Sequence, residues 1–71
     1  MFKELDVVVL RKTLPGTLVP VGSVGTIVFV HDTEGQAYEV EFFDTNDKTI
    51  DVCTVIGEEN LELKTYHRET K

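Results

Sequence analysis

The chain has a single cysteine, Cys53, so no disulfide can form within it. A lone thiol suits a reducing compartment better than a secreted disulfide scaffold. No apolar run approaches the ~18 residues that a membrane-spanning helix needs. The first stretch, MFKELDVVVL, carries acids where a secretory leader would hold only positive charge. These absences create the expectation of a soluble, cytoplasmic protein. Basic residues are also scarce, with 7 Lys and Arg against 13 Asp and Glu and a net charge of -6. Polyanions bind mainly through neutralised phosphates, so this balance argues against nucleic acid and for a basic partner or plain solubility. Repeats, low-complexity segments, linkers and any helix of ordinary length are missing as well.

What is present is a small folded domain. At 71 residues, 41% of them hydrophobic, the chain can bury one thin core. Val7-Val8-Val9-Leu10 is short and β-branched, and reads as a first strand. A long loop with two prolines and two glycines follows, in which Pro15-Gly16 fits the centre of a type II turn. Thr26 to His31 is strand-like, and Thr33-Glu34-Gly35-Gln36 is a polar turn. Tyr38-Glu39-Val40-Glu41-Phe42 alternates strictly, with Tyr38, Val40 and Phe42 on one side. Thr49 to Val55 alternates again, Gly57-Glu58-Glu59-Asn60 suits one helical turn, and Leu61-Glu62-Leu63 is a short last strand. The pattern predicts an all-β, SH3-like barrel of about five strands over residues 1–64, with 65–71 as a flexible tail.

Alternation also predicts register. Setting Tyr38, Val40 and Phe42 opposite Thr54, Val52 and Ile50 closes the hairpin with Thr45-Asn46-Asp47, where Asn46 or Asp47 takes a left-handed conformation. The same register sets Glu41 against Asp51 on the outer face, an unfavourable pairing that a shift of two residues would relieve.

Gly22-Ser23-Val24-Gly25 places two glycines just ahead of a hydrophobic run. A phosphate-binding Walker loop needs a following lysine and opens a helix. A dinucleotide fingerprint needs a third glycine before a helix, and a KH-type clamp carries basic residues. Thr26-Ile27-Val28 opens a strand instead. Gly22 therefore suits a turn with positive φ, and Gly25 suits a bulge or a close strand approach, kinks of the sort that a tight barrel needs.

Leu5-Asp6-Val7-Val8-Val9-Leu10, the segment Val21-Gly22-Ser23-Val24-Gly25-Thr26-Ile27-Val28 and Ala37-Tyr38-Glu39-Val40-Glu41-Phe42 together resemble a small bacterial family catalogued as domain of unknown function 4926. The likeness runs from residue 5 to about 63. It implies an SH3-like barrel, and since no activity is established for that family it carries over no catalytic residue. Asp47 stands where relatives more often have glycine. A looser similarity links Gly22, Gly25 and the next strand to KOW-type segments of ribosome- and transcription-associated proteins.

No spacing in the chain matches a metal or catalytic constellation. His31 and His67 lie far apart, and Cys-x-x-Cys and His-x-x-x-His are absent. The expectation is accordingly no enzyme, no cofactor and no metal. Cys53 falls on the outward alternation beside Glu39, Glu41 and Asp51, which would raise its pKa and leave it inert; pairing with His31 as a base has no support. The carboxylates Glu39, Glu41 and Asp51 share a face that suits a basic partner better than calcium, whose ligands usually come from a loop. Strand two, Ile27-Val28-Phe29-Val30, is apolar on both sides, and Phe43 is out of phase with Phe42, so Phe29 or Phe43 could anchor a partner or a dimer seam. The favoured reading is a non-enzymatic SH3-like protein-binding module. Its site is Glu39, Glu41, Asp51, Phe29 and Phe43, and it neutralises or assists a basic partner as antitoxins and immunity proteins do. The alternatives are a KOW-like nucleic-acid- or ribosome-associated domain using Arg11, Lys12 and Lys48, a small accessory subunit of a larger complex, or a homo-oligomer.

Overall fold

Strand β1 spans Val7–Leu10, β2 Val24–His31, β3 Ala37–Phe43, β4 Thr49–Ile56 and β5 Leu61–Leu63, with a 3-10 turn at Glu58–Asn60. They come from a computed structural model that describes residues 2–31 and 36–64. All neighbours are antiparallel, in the order β4-β3-β2-β1-β5. This is the all-β, SH3-like barrel that the alternation predicts, with its long loop between β1 and β2 and its helical turn before the last strand. Among the described residues no ladder joins β4 to β5, and the 3-10 turn carries the chain across that seam. The polar turn after His31 lies largely outside the described residues, and the tail 65–71 with His67 does so wholly.

Local chemistry explains the connections. Pro15-Gly16 sits at the centre of a turn closed by Thr17 N–H to Leu14 C=O at 3.3 Å. Gly22 adopts φ 95 where the chain turns into β2, and its N–H donates to Leu10 C=O at 2.8 Å, tying the loop back to β1. The β3–β4 hairpin closes through Thr45-Asn46-Asp47. Asp44 N–H donates to Lys48 C=O (2.8 Å), Asp47 takes φ 63, and the Asp44 carboxylate accepts from Asn46 N–H and Lys48 N–H. An aspartate can occupy that left-handed position because its short polar side chain tolerates it.

Register departs from simple alternation at two bulges. Phe43 pairs with Thr49, as expected, but Phe42 then pairs with Asp51, leaving Ile50 as an extra residue. From there β4 runs one residue out of the predicted phase: Val40 faces Cys53 and Tyr38 faces Val55, not Val52 and Thr54. The bulge also removes the predicted opposition of Glu41 and Asp51, since Glu41 pairs with Val52. Its cause is packing: Ile50 still leans on the core, while the inversion beyond it delivers Cys53 and Val55 to the interior. A second bulge at Val28 breaks β2 between Ile27, paired with Val40, and Phe29, paired with Glu39.

The core is formed by Val8, Leu10, Val19, Ile27, Tyr38, Val40, Phe42, Cys53, Val55 and Leu61, so every strand contributes. No charged residue is buried among them. Tyr38 reconciles its hydroxyl with burial at the end of the core. It accepts Phe2 N–H (3.3 Å), lies 2.8 Å from the Glu58 carboxylate and packs edge-to-face on Phe2. Gly25 is also interior, where a Cβ would sit 2.6 Å from Val40 Cγ1, 2.8 Å from Phe42 Cδ1 and 3.0 Å from Glu41 O. Glycine is required there because β3 packs against the backbone itself. Gly25→Ala should therefore lower stability by about 1–3 kcal/mol through overpacking, read as a lower urea midpoint with an unchanged slope. A wild-type midpoint in that variant would refute the close-approach account.

Candidate functional site

The residues of β3 that do not enter the core, Glu39, Glu41 and Phe43, project from the outer face together with their partners on β2 and β4. The Val28 bulge puts Phe29 on this face beside Glu39; the ring is 50% exposed while Ile27 is fully buried. Of the two, Phe29 is the one that points outward. It stacks edge-to-face on His31 with ring centroids 5.0 Å apart.

Glu39 is the hub. Its Oε2 lies 2.7 Å from His31 Nε2 and accepts the Thr54 hydroxyl at 2.8 Å. A carboxylate can only accept, so the proton of the His31 contact resides on Nε2. The His31 hydrogen bond, then that of Thr54, holds the Glu39 carboxyl below its ordinary 4.5 against the opposing effect of burial. Glu41, one step along the face, accepts the Thr49 hydroxyl at 2.6 Å. Val52 and Ile56 of β4 complete the surface and are 53% and 65% exposed. Nothing basic occurs in β3 or β4, as their sequences AYEVEFF and TIDVCTVI show.

Two predicted placements need correction. Asp51 does not join Glu39 and Glu41. The Ile50 bulge aligns it with Phe42 on the Cys53 side of β4, where its Oδ1 accepts Val52 N–H at 2.8 Å. Cys53 is not outward but buried, for the same reason. Its thiol pKa is raised, as expected, although burial is now the first cause and Asp51 and Glu39 follow. Cys53 faces the core and His31 the outer surface, so the sheet separates the only nucleophile–base combination considered from the sequence.

Phe43 shares the outer face but belongs to a separate shallow groove at the hairpin end, with Val7, Val21, Val24 and Ile50. Of the cations considered for nucleic acid, Arg11 is engaged by Glu62 at 3.2 Å, and Lys48 sits in the β3–β4 hairpin with β2 between the two. Among the described residues there is no group of three or more His, Cys, Asp or Glu that could hold a metal ion. None of their helices is long and apolar enough to cross a membrane. The His31–Glu39–Thr54 contact is the part that sequence reasoning missed. Its signal was the pairing of β3 with β4, but His31 could not be aligned without knowing the Val28 bulge.

A family model described as Domain of unknown function (DUF4926) matches residues 4–62 of the chain. No curated protein and no solved structure matches it.

Two measurements test this geometry. The Glu39 pKa is depressed on folding, so its contribution to stability is fully present above the ordinary value of 4.5 and is lost as pH falls through the lower folded value. Glu39→Gln should thus flatten the acid limb of a stability–pH curve relative to wild type, and an unaltered limb would contradict the His31–Glu39 assignment. Cys53 should react with an aromatic disulfide reagent only as fast as the domain opens, accelerating by orders of magnitude in urea. Rapid labelling of the native protein would contradict the inverted phase of β4.

Proposed function

The chain belongs to the family described as Domain of unknown function (DUF4926), whose description names no activity, and we propose that it is a non-enzymatic, cytoplasmic protein-binding module for a basic partner. Phe29 carries this reading. A phenylalanine 50% exposed, oriented by His31 and set against Glu39, combines an apolar anchor with adjacent negative charge. Aromatics that become buried on association supply much of the affinity of an interface, whereas charge around them steers the encounter and selects the partner.

The rest of the face fits that role. Glu41 extends the acidic strip, Val52 and Ile56 extend the apolar one, and the net charge of -6 gives long-range attraction for cations. Fixed contacts to His31, Thr49 and Thr54 orient the two glutamates before any partner arrives, which reduces the ordering cost of binding. A small acidic domain of this kind neutralises or assists its partner by covering a basic surface, in the manner of antitoxins and immunity proteins. That comparison is one of size and charge.

The test is affinity capture from the native organism followed by titration of the captured protein across ionic strength. Association should weaken as salt rises, and Glu41→Lys or Phe29→Ala should each weaken it roughly tenfold or more. Binding indifferent to salt and to both substitutions would remove the acidic face from consideration.

A further inference from the structure

We propose that the partner engages this domain as an added β-strand, pairing with the open edge of β4 through a segment that alternates apolar and basic residues. The proposal rests on the basic-partner reading above and specifies its binding mode. Among the described residues no strand lies beyond β4 in the sheet order. Gly57 N–H bonds Gln36 C=O at 3.2 Å, so alternate residues back from Gly57, Val55 and Cys53, direct their backbone groups toward β3. Thr54 and Ile56, between and beside them, direct theirs to the open side.

The ends of that edge are already satisfied and its middle is not. Val52 N–H is occupied by the Asp51 carboxylate at 2.8 Å, and Ile56 C=O accepts from Asn60 Nδ2 at 2.7 Å. Among the described residues this leaves Val52 C=O, Thr54 N–H and C=O, and Ile56 N–H to meet an incoming strand. Edges are usually blunted by lysine, proline or brevity. The other edge, β5, has three residues, but β4 has eight and contains neither lysine nor proline. Backbone groups presented in this way are the basis of strand addition, in which main-chain bonds give affinity and alternate side chains give selectivity.

Side chains on the outer face define the segment. An antiparallel strand whose central residue faces Thr54 places that side chain on the outer face next to Thr54. There it is one strand removed from Glu39 and within reach of it for a long cationic side chain, with Glu41 the next acid along β3. Lysine or arginine suits that position. The residues two before and two after it lie against the exposed Val52 and Ile56, where apolar side chains fit. The recognised pattern is therefore apolar-x-basic-x-apolar. Charge argues for this occupant over a second copy of the chain, because antiparallel self-pairing about Thr54 would bring the Glu39 carboxylates of the two copies toward each other with no lysine or arginine on either β4.

The probe is the capped peptide acetyl-Lys-Val-Thr-Lys-Thr-Val-Lys-amide, followed by NMR amide exchange on the intact chain. Saturating peptide should slow exchange at Thr54 and Ile56 by about tenfold or more. N-methylation of the central lysine, which removes the N–H aimed at Thr54 C=O, should weaken binding about tenfold, and glutamate in place of the lysines should abolish it. Thr54→Pro should have the same effect as N-methylation. Should that variant fail to fold, the N-methylated peptide makes the same test on the native chain. Equal affinity for the methylated and unmethylated peptides, binding without protection of Thr54 and Ile56, or no binding at all overturns strand addition. So does light scattering that shows a dimer with those amides protected before peptide is added. Binding that is lost on raising salt and in Glu41→Lys, yet unaffected by N-methylation, overturns strand addition and leaves the acidic-face reading standing.

Discussion

Strand β3 is paired along both sides and has to keep Tyr38, Val40 and Phe42 in the core, which fixes its phase and makes it the reference for both neighbours. Neither β2 nor β4 matches that phase over its whole length. Each inserts one residue, Val28 in β2 and Ile50 in β4, and thereby exchanges which of its side chains meet the interior. The outer face is a product of these insertions: one brings Phe29 alongside Glu39, and the other brings Thr54 and Val52 alongside Glu39 and Glu41. A small barrel with a thin core gains apolar burial in this way, and a β-bulge is an economical means of re-aiming a side chain.

The electrostatic character of the face follows from the same arrangement. Directly opposed carboxylates are avoided because Glu41 meets Val52 across the ladder and a threonine hydroxyl serves each glutamate. His31 adds a donor to Glu39 without burying charge, since both side chains keep solvent contact. The glutamates are thus oriented but not neutralised by lysine or arginine. That distinguishes the face from the β1–β5 side, where Arg11 and Glu62 form a pair.

Much of the architecture was legible in the chain because its signals were local. The strict alternation of Tyr38 to Phe42, the apolar Val7 to Leu10 and the turn chemistry of Thr45-Asn46-Asp47 each depend on a few adjacent residues, and the structure follows them. Gly22 and Gly25 were legible as backbone devices for the same reason. The phase of β4 beyond Ile50 was not, because TIDVCTV offers Val52 and Cys53 as comparable candidates for burial. The choice between them depends on a long-range fit to Val40 and Phe42. Asp51 and Cys53 were consequently placed on the wrong side, whereas Glu39, Glu41 and Phe43, read from the unambiguous strand, were placed correctly on the outer face.

Because the interior assignment of β4 depends on one surplus residue at Ile50, this part of the molecule is sensitive to length as well as to identity. Deleting Ile50 would close the bulge and leave Cys53 and Val55 inside. Inserting a single residue there, with the bulge held at one residue, would exchange Cys53 and Val55 for Val52 and Thr54 at the centre of the protein, putting a hydroxyl where a hydrocarbon now packs. Adding a second residue restores the parity of the strand, so length variation around this hairpin is expected to comprise the loss of one residue or the gain of two.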